Sequence, residues 1–178
     1  MAELQDTPEC WCGSKYFDTF SEHYRMCRSC GTLVATRKYG DSEYEPGDGE
    51  QSFYGKTYWT EHVKNDYGLP DIFERSRADL IERSLYWLKT IFKYKLPPAK
   101  TLELGCAHGG LVFLMKLSGF DAQGAEMSPW ICDFAADIFD IPVQCGRIED
   151  LSIESKSLDI VVLMDVLEHM TDPMNGIK

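Results

Sequence analysis

From Lys100 onward the apolar and polar positions switch regularly between a period of two and a period near 3.6. Residues 101–104 read as a short apolar strand with one acid, Glu103, inside it. Residues 108–118 follow with a helical pattern, closed by Gly119. Residues 122–126 give a second strand. Ser128 and Pro129 then open a helix, N-cap followed by first-turn proline, and residues 130–138 carry its apolar face. Residues 142–145 give a short third strand and residues 158–164 a fourth. Apart from Asp159 the fourth is continuously apolar, the pattern of a strand buried on both faces. The alternation predicts an α/β fold with a doubly wound, Rossmann-like parallel sheet.

Upstream, residues 71–95 place Ile81, Leu85, Leu88 and Phe92 on one face of a predicted helix, with Glu82, Arg83, Lys89 and Lys93 elsewhere. Leu96-Pro97-Pro98 stops that helix, which reads as cover for the sheet. Before it runs an aromatic stretch, Phe53-Tyr54-Gly55-Lys56-Thr57-Tyr58-Trp59. Two readings stand open for it: packing against the following domain, or a lid over a ligand pocket. Residues 40–49 are acidic and Gly/Pro-bearing, as a linker is.

The first 39 residues show neither period and are organised by cysteine. Cys10 and Cys12 form one close pair, Cys27 and Cys30 another, with fourteen residues between them. Four thiolates surround Zn²⁺ tetrahedrally when each pair turns tightly around the metal. Gly follows the second Cys of each pair, which suits such a turn. The predicted unit is a small structural zinc ribbon, with a closed four-sulfur shell that leaves no catalytic position. Tyr16, Phe17, Phe20, Tyr24 and Leu33 are its candidate core. So little apolar area leaves much of the folding energy to the metal. Cys106, Cys132 and Cys145 fall in the later apolar pattern and read as core residues.

Composition narrows the setting. The net charge of −11 repels a nucleic-acid backbone. No apolar run approaches the roughly 20 residues of a membrane span. An odd count of seven cysteines, without signal character at the N-terminus, fits a reducing compartment, so the expected location is the cytoplasm.

Ligands of a parallel sheet sit at the carboxyl ends of its strands. The first end gives Glu103 and the turn Gly105-Cys106-Ala107-His108-Gly109, where strand, glycine turn and helix let the backbone approach a nucleotide-like ligand. The second gives Glu126, twenty-one residues after Gly105, placed to accept ribose hydroxyls. The third gives Gly146-Arg147-Ile148-Glu149-Asp150, and the fourth Met164-Asp165-Val166-Leu167-Glu168-His169. Several acids and no phosphate-binding lysine favour a nucleoside carrying an amine or positive charge.

These four motifs, in this order, resemble the S-adenosylmethionine-binding half of a class I methyltransferase, in the subgroup with Asp-Val-Leu-Glu-His after the fourth strand. The cysteine pairs and the aromatic stretch resemble, more loosely, the zinc-ribbon methyltransferases that modify sugars or nucleotide-sugars. The resemblance implies that Glu103 and Gly105 hold the methionine part, and that Cys106, Ala107 and Gly109 pass beneath the ribose and sulfonium. It implies Glu126 on the ribose hydroxyls, Met127 against the adenine, and Ile148 with Glu149 or Asp150 at the adenine edge. Met164 and Asp165 would line the methyl-donor end. His169 is the candidate general base for an acceptor that must lose a proton. Two positions depart from the pattern: Ala107 replaces a frequent Gly, and Arg147 stands where an acid is common.

The expected organisation is therefore a ribbon over 1–39, a linker and aromatic lid segment over 40–70, and the cofactor-binding half of a methyltransferase domain over 71–178. The chain ends just after the fourth strand, before the strands that shape the acceptor pocket in that family. The expectation is a fragment, or a homodimer or partner chain covering the fourth-strand edge. The expected function is methyl transfer to a small-molecule acceptor, with a sugar or nucleotide-sugar as the finer reading. A non-catalytic ribbon and Rossmann module for assembly is the alternative.

Overall fold

A computed structural model describes residues 9–36, 52–78, 81–170 and 173–177. They form two compact units, one from the N-terminal residues through Thr36 together with Pro173–Ile177, the other from Ser52 to Met170. The linker expected over 40–49 lies outside the described residues.

The first unit is a three-stranded antiparallel sheet of β1 (Phe17–Thr19), β2 (Tyr24–Cys27) and β3 (Leu33–Ala35), in that order. Strands of three and four residues bury little, and the expected aromatic core is not there. Tyr16, Phe20, Tyr24 and Leu33 are exposed, and within residues 9–36 the buried side chains are Cys10 and Cys27. The centre of the unit is its cysteine cluster.

The second unit begins with the aromatic stretch. It forms a π-helical turn, Tyr58–His62, continued by α1 (Val63–Asn65). Helices α2 (Ile72–Ala78) and α3 (Ile81–Tyr94) follow, where the sequence pattern implied a single helix. The four parallel strands are β4 (Lys100–Leu104), β5 (Asp121–Glu126), β6 (Val143–Cys145) and β7 (Ile160–Leu163), in the order β6-β5-β4-β7. α4 (Gly110–Leu117) joins β4 to β5, and α5 (Pro129–Phe139) joins β5 to β6. Each matches its expected element within two residues. The strand order reverses at β4, between β5 and β7, which makes the carboxyl end of β4 the topological switch point.

Alternation along β4 divides the core. Leu102 and Leu104 pack with Ala125, Leu158 and Leu163 on one side. Leu88 and Ile91 of α3, Val112 and Met115 of α4 and Ala135 of α5 share one cluster with Ala122 and Val162. Three expected burials fail. Leu85 is exposed, and the inner stripe of α3 is Ser84, Leu88 and Ile91. A helix with apolar residues on more than one side offers two stripes, and packing selects one. The Ile81 side chain lies outside the described residues. Val161 is 47 % exposed, and among the described residues β7 pairs with β4 alone and lies at the sheet edge. Cys106 and Cys132 are buried as expected, but Cys145, the last residue of β6, is exposed.

Candidate active site

The turn after β4 is built from left-handed backbone. Gly105 has φ +69°, Ala107 +47° and Gly109 +79°. Glycine reaches such angles freely, whereas alanine pays about 1–2 kcal/mol. The amides of Gly105 and Cys106 both donate to the Ala125 carbonyl, at 2.8 and 3.0 Å, which pins the turn to the end of β5. At Gly109 a Cβ would also lie 2.1 Å from Ile141 Cδ1, so that side chain would have to shift.

Glu126 ties the two strand ends together. Its Oε2 accepts the Ala107 N–H at 3.1 Å, and its Oε1 accepts those of Met127 and Ser128 at 2.8 and 3.0 Å. Burial pushes its carboxyl above the ordinary range, and the three N–H groups pull the other way without cancelling that rise. A carboxylate offers about four acceptor positions. Three are filled, and the one left is on Oε2. The expected cap of α5 works differently in the fold. Ser128 stands at the N-cap position but does not bond the helix amides. Its hydroxyl donates to the Tyr54 carbonyl at 2.6 Å, and Glu126 takes its amide.

That bond brings the aromatic segment to the site. Trp59 is buried with Ile72 and Ile131, and Tyr54, Tyr58 and Ala107 pack on the same cluster. The Trp59 indole N–H donates to the Tyr54 carbonyl at 3.0 Å. Burial, then Tyr67 and Glu126, raises the phenol of half-buried Tyr58, while Arg75 lowers it. Tyr58 therefore feels the charges of both Arg75 and Glu126. The sequence offered the aromatic run as the only signal for this, and none for Arg75.

The remaining candidates divide. Glu103 is buried and alternates away from the Leu102 and Leu104 side. The Cys106 thiol is pushed up by burial and then by Glu103 and Glu126, so both acids and the turn share one neighbourhood. Met127 is held there by its bond to Glu126. Ile148 and Glu149 lie in a 3₁₀ turn, Ile148–Asp150. Ile148 packs against the Leu102 cluster, and Glu149 sits 3.7 Å from Arg147. Met164 packs on the main core. Asp165 has φ +56° and an exposed carboxylate 3.4 Å from Arg83 Nη1. His169 is exposed in the following turn, Leu167–His169. A cavity of about 180 Å³ opens beside His108, lined by Arg75, Arg77, Ser84 and Phe113. It is smaller than the roughly 300 Å³ at which small-molecule sites begin.

In the first unit, Cys10, Cys12, Cys27 and Cys30 place their sulfurs within 4.8 Å of one another. Sulfurs about 2.3 Å from a tetrahedral zinc stand about 3.8 Å apart, and the Cys10–Cys30 and Cys12–Cys27 separations are 3.5 and 3.6 Å. Gly13 and Gly31, at φ +81° and +78°, close the two knuckles by donating to the Cys10 and Cys27 carbonyls at 2.7 and 2.9 Å. Burial pushes the Cys27 thiol up. The amides of Cys30 and Ser29 and the Cys10 and Cys12 thiols outweigh it and bring Cys27 down to about 6. The Ser14 amide favours the Cys12 thiolate, but the crowding thiols carry Cys12 up to about 12. Four sulfurs this close ionise together only around a cation. The geometry and donor set fit zinc.

Residues 102–178 match the family model described as a methyltransferase domain. The matched stretch is somewhat under half of the chain. The match contains the glycine turn, Glu126 and Asp165, and excludes the ribbon, Tyr58 and Arg83. A ubiquinone biosynthesis O-methyltransferase from Coxiella burnetii is 33% identical over 82 residues, 43% of this chain and 35% of that protein. The chain thus spans about a third of the length of the curated relatives it matches. Among solved structures, a SAM-dependent methyltransferase from Archaeoglobus fulgidus aligns with a TM-score of 0.45 and 25% identity, covering 56% of this chain and 45% of that one. An amino pentose methyltransferase from Micromonospora echinaspora, solved with SAM bound, aligns with a TM-score of 0.48 and 15% identity, over 61% and 49%. Within the matched stretch the four parallel strands and the helices α4 and α5 follow one another along the chain as the sequence pattern implied. Among the described residues, no helix is long and apolar enough to cross a membrane.

Proposed function

We propose that this chain binds S-adenosylmethionine at the carboxyl ends of β4, β5 and β7, and is the donor-binding part of an enzyme that methylates a small molecule. The observation that carries this reading is the methyltransferase match over 102–178, centred on the glycine turn that Glu126 clasps. In this reading the open acceptor position on Glu126 Oε2 takes a ribose hydroxyl, and the turn from Gly105 through Cys106 and Ala107 to Gly109 underlies the ribose and sulfonium. Glu103 faces the methionine amino group. Met127 lies on the adenine, with Ile148 and Glu149 at its edge, and Met164 and Asp165 bound the methyl end. The donor is already activated, so alignment and exclusion of water do most of the work. His169 serves as base where the acceptor is a hydroxyl. That the acceptor is a sugar or nucleotide-sugar rests on the ribbon and aromatic segment alone. Zinc in the Cys10, Cys12, Cys27 and Cys30 cluster is structural.

Calorimetric titration with S-adenosylhomocysteine tests the donor site. Micromolar binding by the wild-type chain, weakened at least about tenfold in Glu126→Gln with the thermal transition retained, is the expected result. A folded wild-type chain that binds nothing at millimolar ligand overturns the reading.

A further inference from the structure

The sequence pattern assigns α3 to cover, yet one of its residues reaches the site. Arg83 lays its guanidinium 4.5 Å from the centroid of the Trp87 ring, one turn along the same helix. Its Nη1 lies 3.4 Å from Asp165 Oδ2, 82 residues away in sequence. Its Nε is buried with no hydrogen-bond partner among the described residues, so satisfaction of the core does not explain its placement.

Asp165 is one of four non-glycine residues at positive φ among the described residues, at +56°. The adjoining Val166 rests on the glycine turn: a Cβ added at Gly105 would meet Val166 Cγ2 at 2.5 Å. One line of contact therefore runs from Trp87 through Arg83, Asp165 and Val166 to Gly105. An aspartate in left-handed backbone needs something to hold it there, and the held loop presses on the donor turn.

We propose that Arg83 is a positioning residue, which acts through Asp165 to seat residues 165–166 against Gly105 and so shapes the methyl end of the donor pocket. The link to the donor rests on the function proposed above; the seating of the loop does not. Arginine suits the task because its planar fork stacks on Trp87 while pointing one N–H at a carboxylate. Lysine keeps the charge and loses the stacking. Because the pair is solvent-facing it contributes little to global stability, so its loss is felt locally.

Hydrogen exchange on the free chain, with S-adenosylhomocysteine affinity measured alongside, decides it for wild type, R83K, R83M, D165N and R83M/D165N. The expected result is faster exchange over 164–169 in R83M, a smaller change in R83K, and no change over the ribbon strands 17–35. Affinity should fall about three- to tenfold in R83M, with the double variant no worse than D165N. Unchanged exchange over 164–169 in R83M overturns the proposal, as do R83M and D165N effects that simply add. If exchange shifts as stated but even wild type binds no donor analogue, the loop-seating role stands and the donor function falls.

Discussion

Glu126 carries opposed demands that pH separates. Its folded carboxyl titrates above the ordinary 4.5, so over the window just above that value the folded state holds more proton than the unfolded one. Stability contributed by this group is therefore present at low pH and lost as pH rises through the window. A ribose hydroxyl needs the ionised acceptor, so donor affinity should rise over the same interval. Urea titrations and calorimetry at matched pH should show opposite slopes in wild type, and Glu126→Gln should flatten both. Parallel slopes would mean that the carboxylate does not face the ligand. Ala107 supplies a second test at this scale. Relief of left-handed strain in Ala107→Gly exceeds the added freedom of the unfolded chain, so the variant should gain up to about 1 kcal/mol in urea unfolding and still bind the donor. A loss would show that the methyl contact with the Trp59 cluster outweighs the strain.

At the scale of elements, the two units are held by different means. The ribbon buries cysteines in place of aromatics, so a strong chelator should melt it while the parallel sheet stays folded. Thiol titration should then find four newly reactive sulfurs, and exchange should rise over 17–35 only; a chelator that exposes no thiol would remove zinc from the account. The sheet was legible in the sequence because β4, α4, β5 and α5 each carry one dominant period, with a clear stop at Gly119 and a clear start at Pro129. The ribbon ligands were legible from spacing. What escaped was set by packing between distant segments. Leu85 and Ile91 compete for one helix face, and only the sheet chooses between them. Ser128 looks like a cap from its neighbours, but its hydroxyl goes to Tyr54, 74 residues earlier. Arg83 gave no local sign that it would meet Asp165. The Trp59 cluster that covers this side predicts its own measurement: Trp59→Ala should cost about 3–5 kcal/mol in unfolding of the second unit. A cost under about 1 kcal/mol would make the segment a loose flap.

Over the whole molecule the net charge of −11 bears on donor against product. S-adenosylmethionine carries a sulfonium and an ammonium against one carboxylate, so its net charge is positive. S-adenosylhomocysteine has lost the sulfonium charge and is neutral overall. On the donor site proposed above, a chain of this net charge attracts the first and leaves the second indifferent. Neutral product release then meets no long-range pull, whereas the incoming donor does. Salt distinguishes this from a preference built of contacts. Screening shortens to about 8 Å at 0.15 M and about 3 Å at 1 M, so the donor's association rate should fall severalfold across that range while the product's stays nearly flat. Stopped-flow binding of both ligands at low and high salt measures the difference directly. If the two rates fall together, the field of the protein plays no part, and any discrimination between donor and product has to come from Glu103, Asp165 and the loop that Arg83 seats.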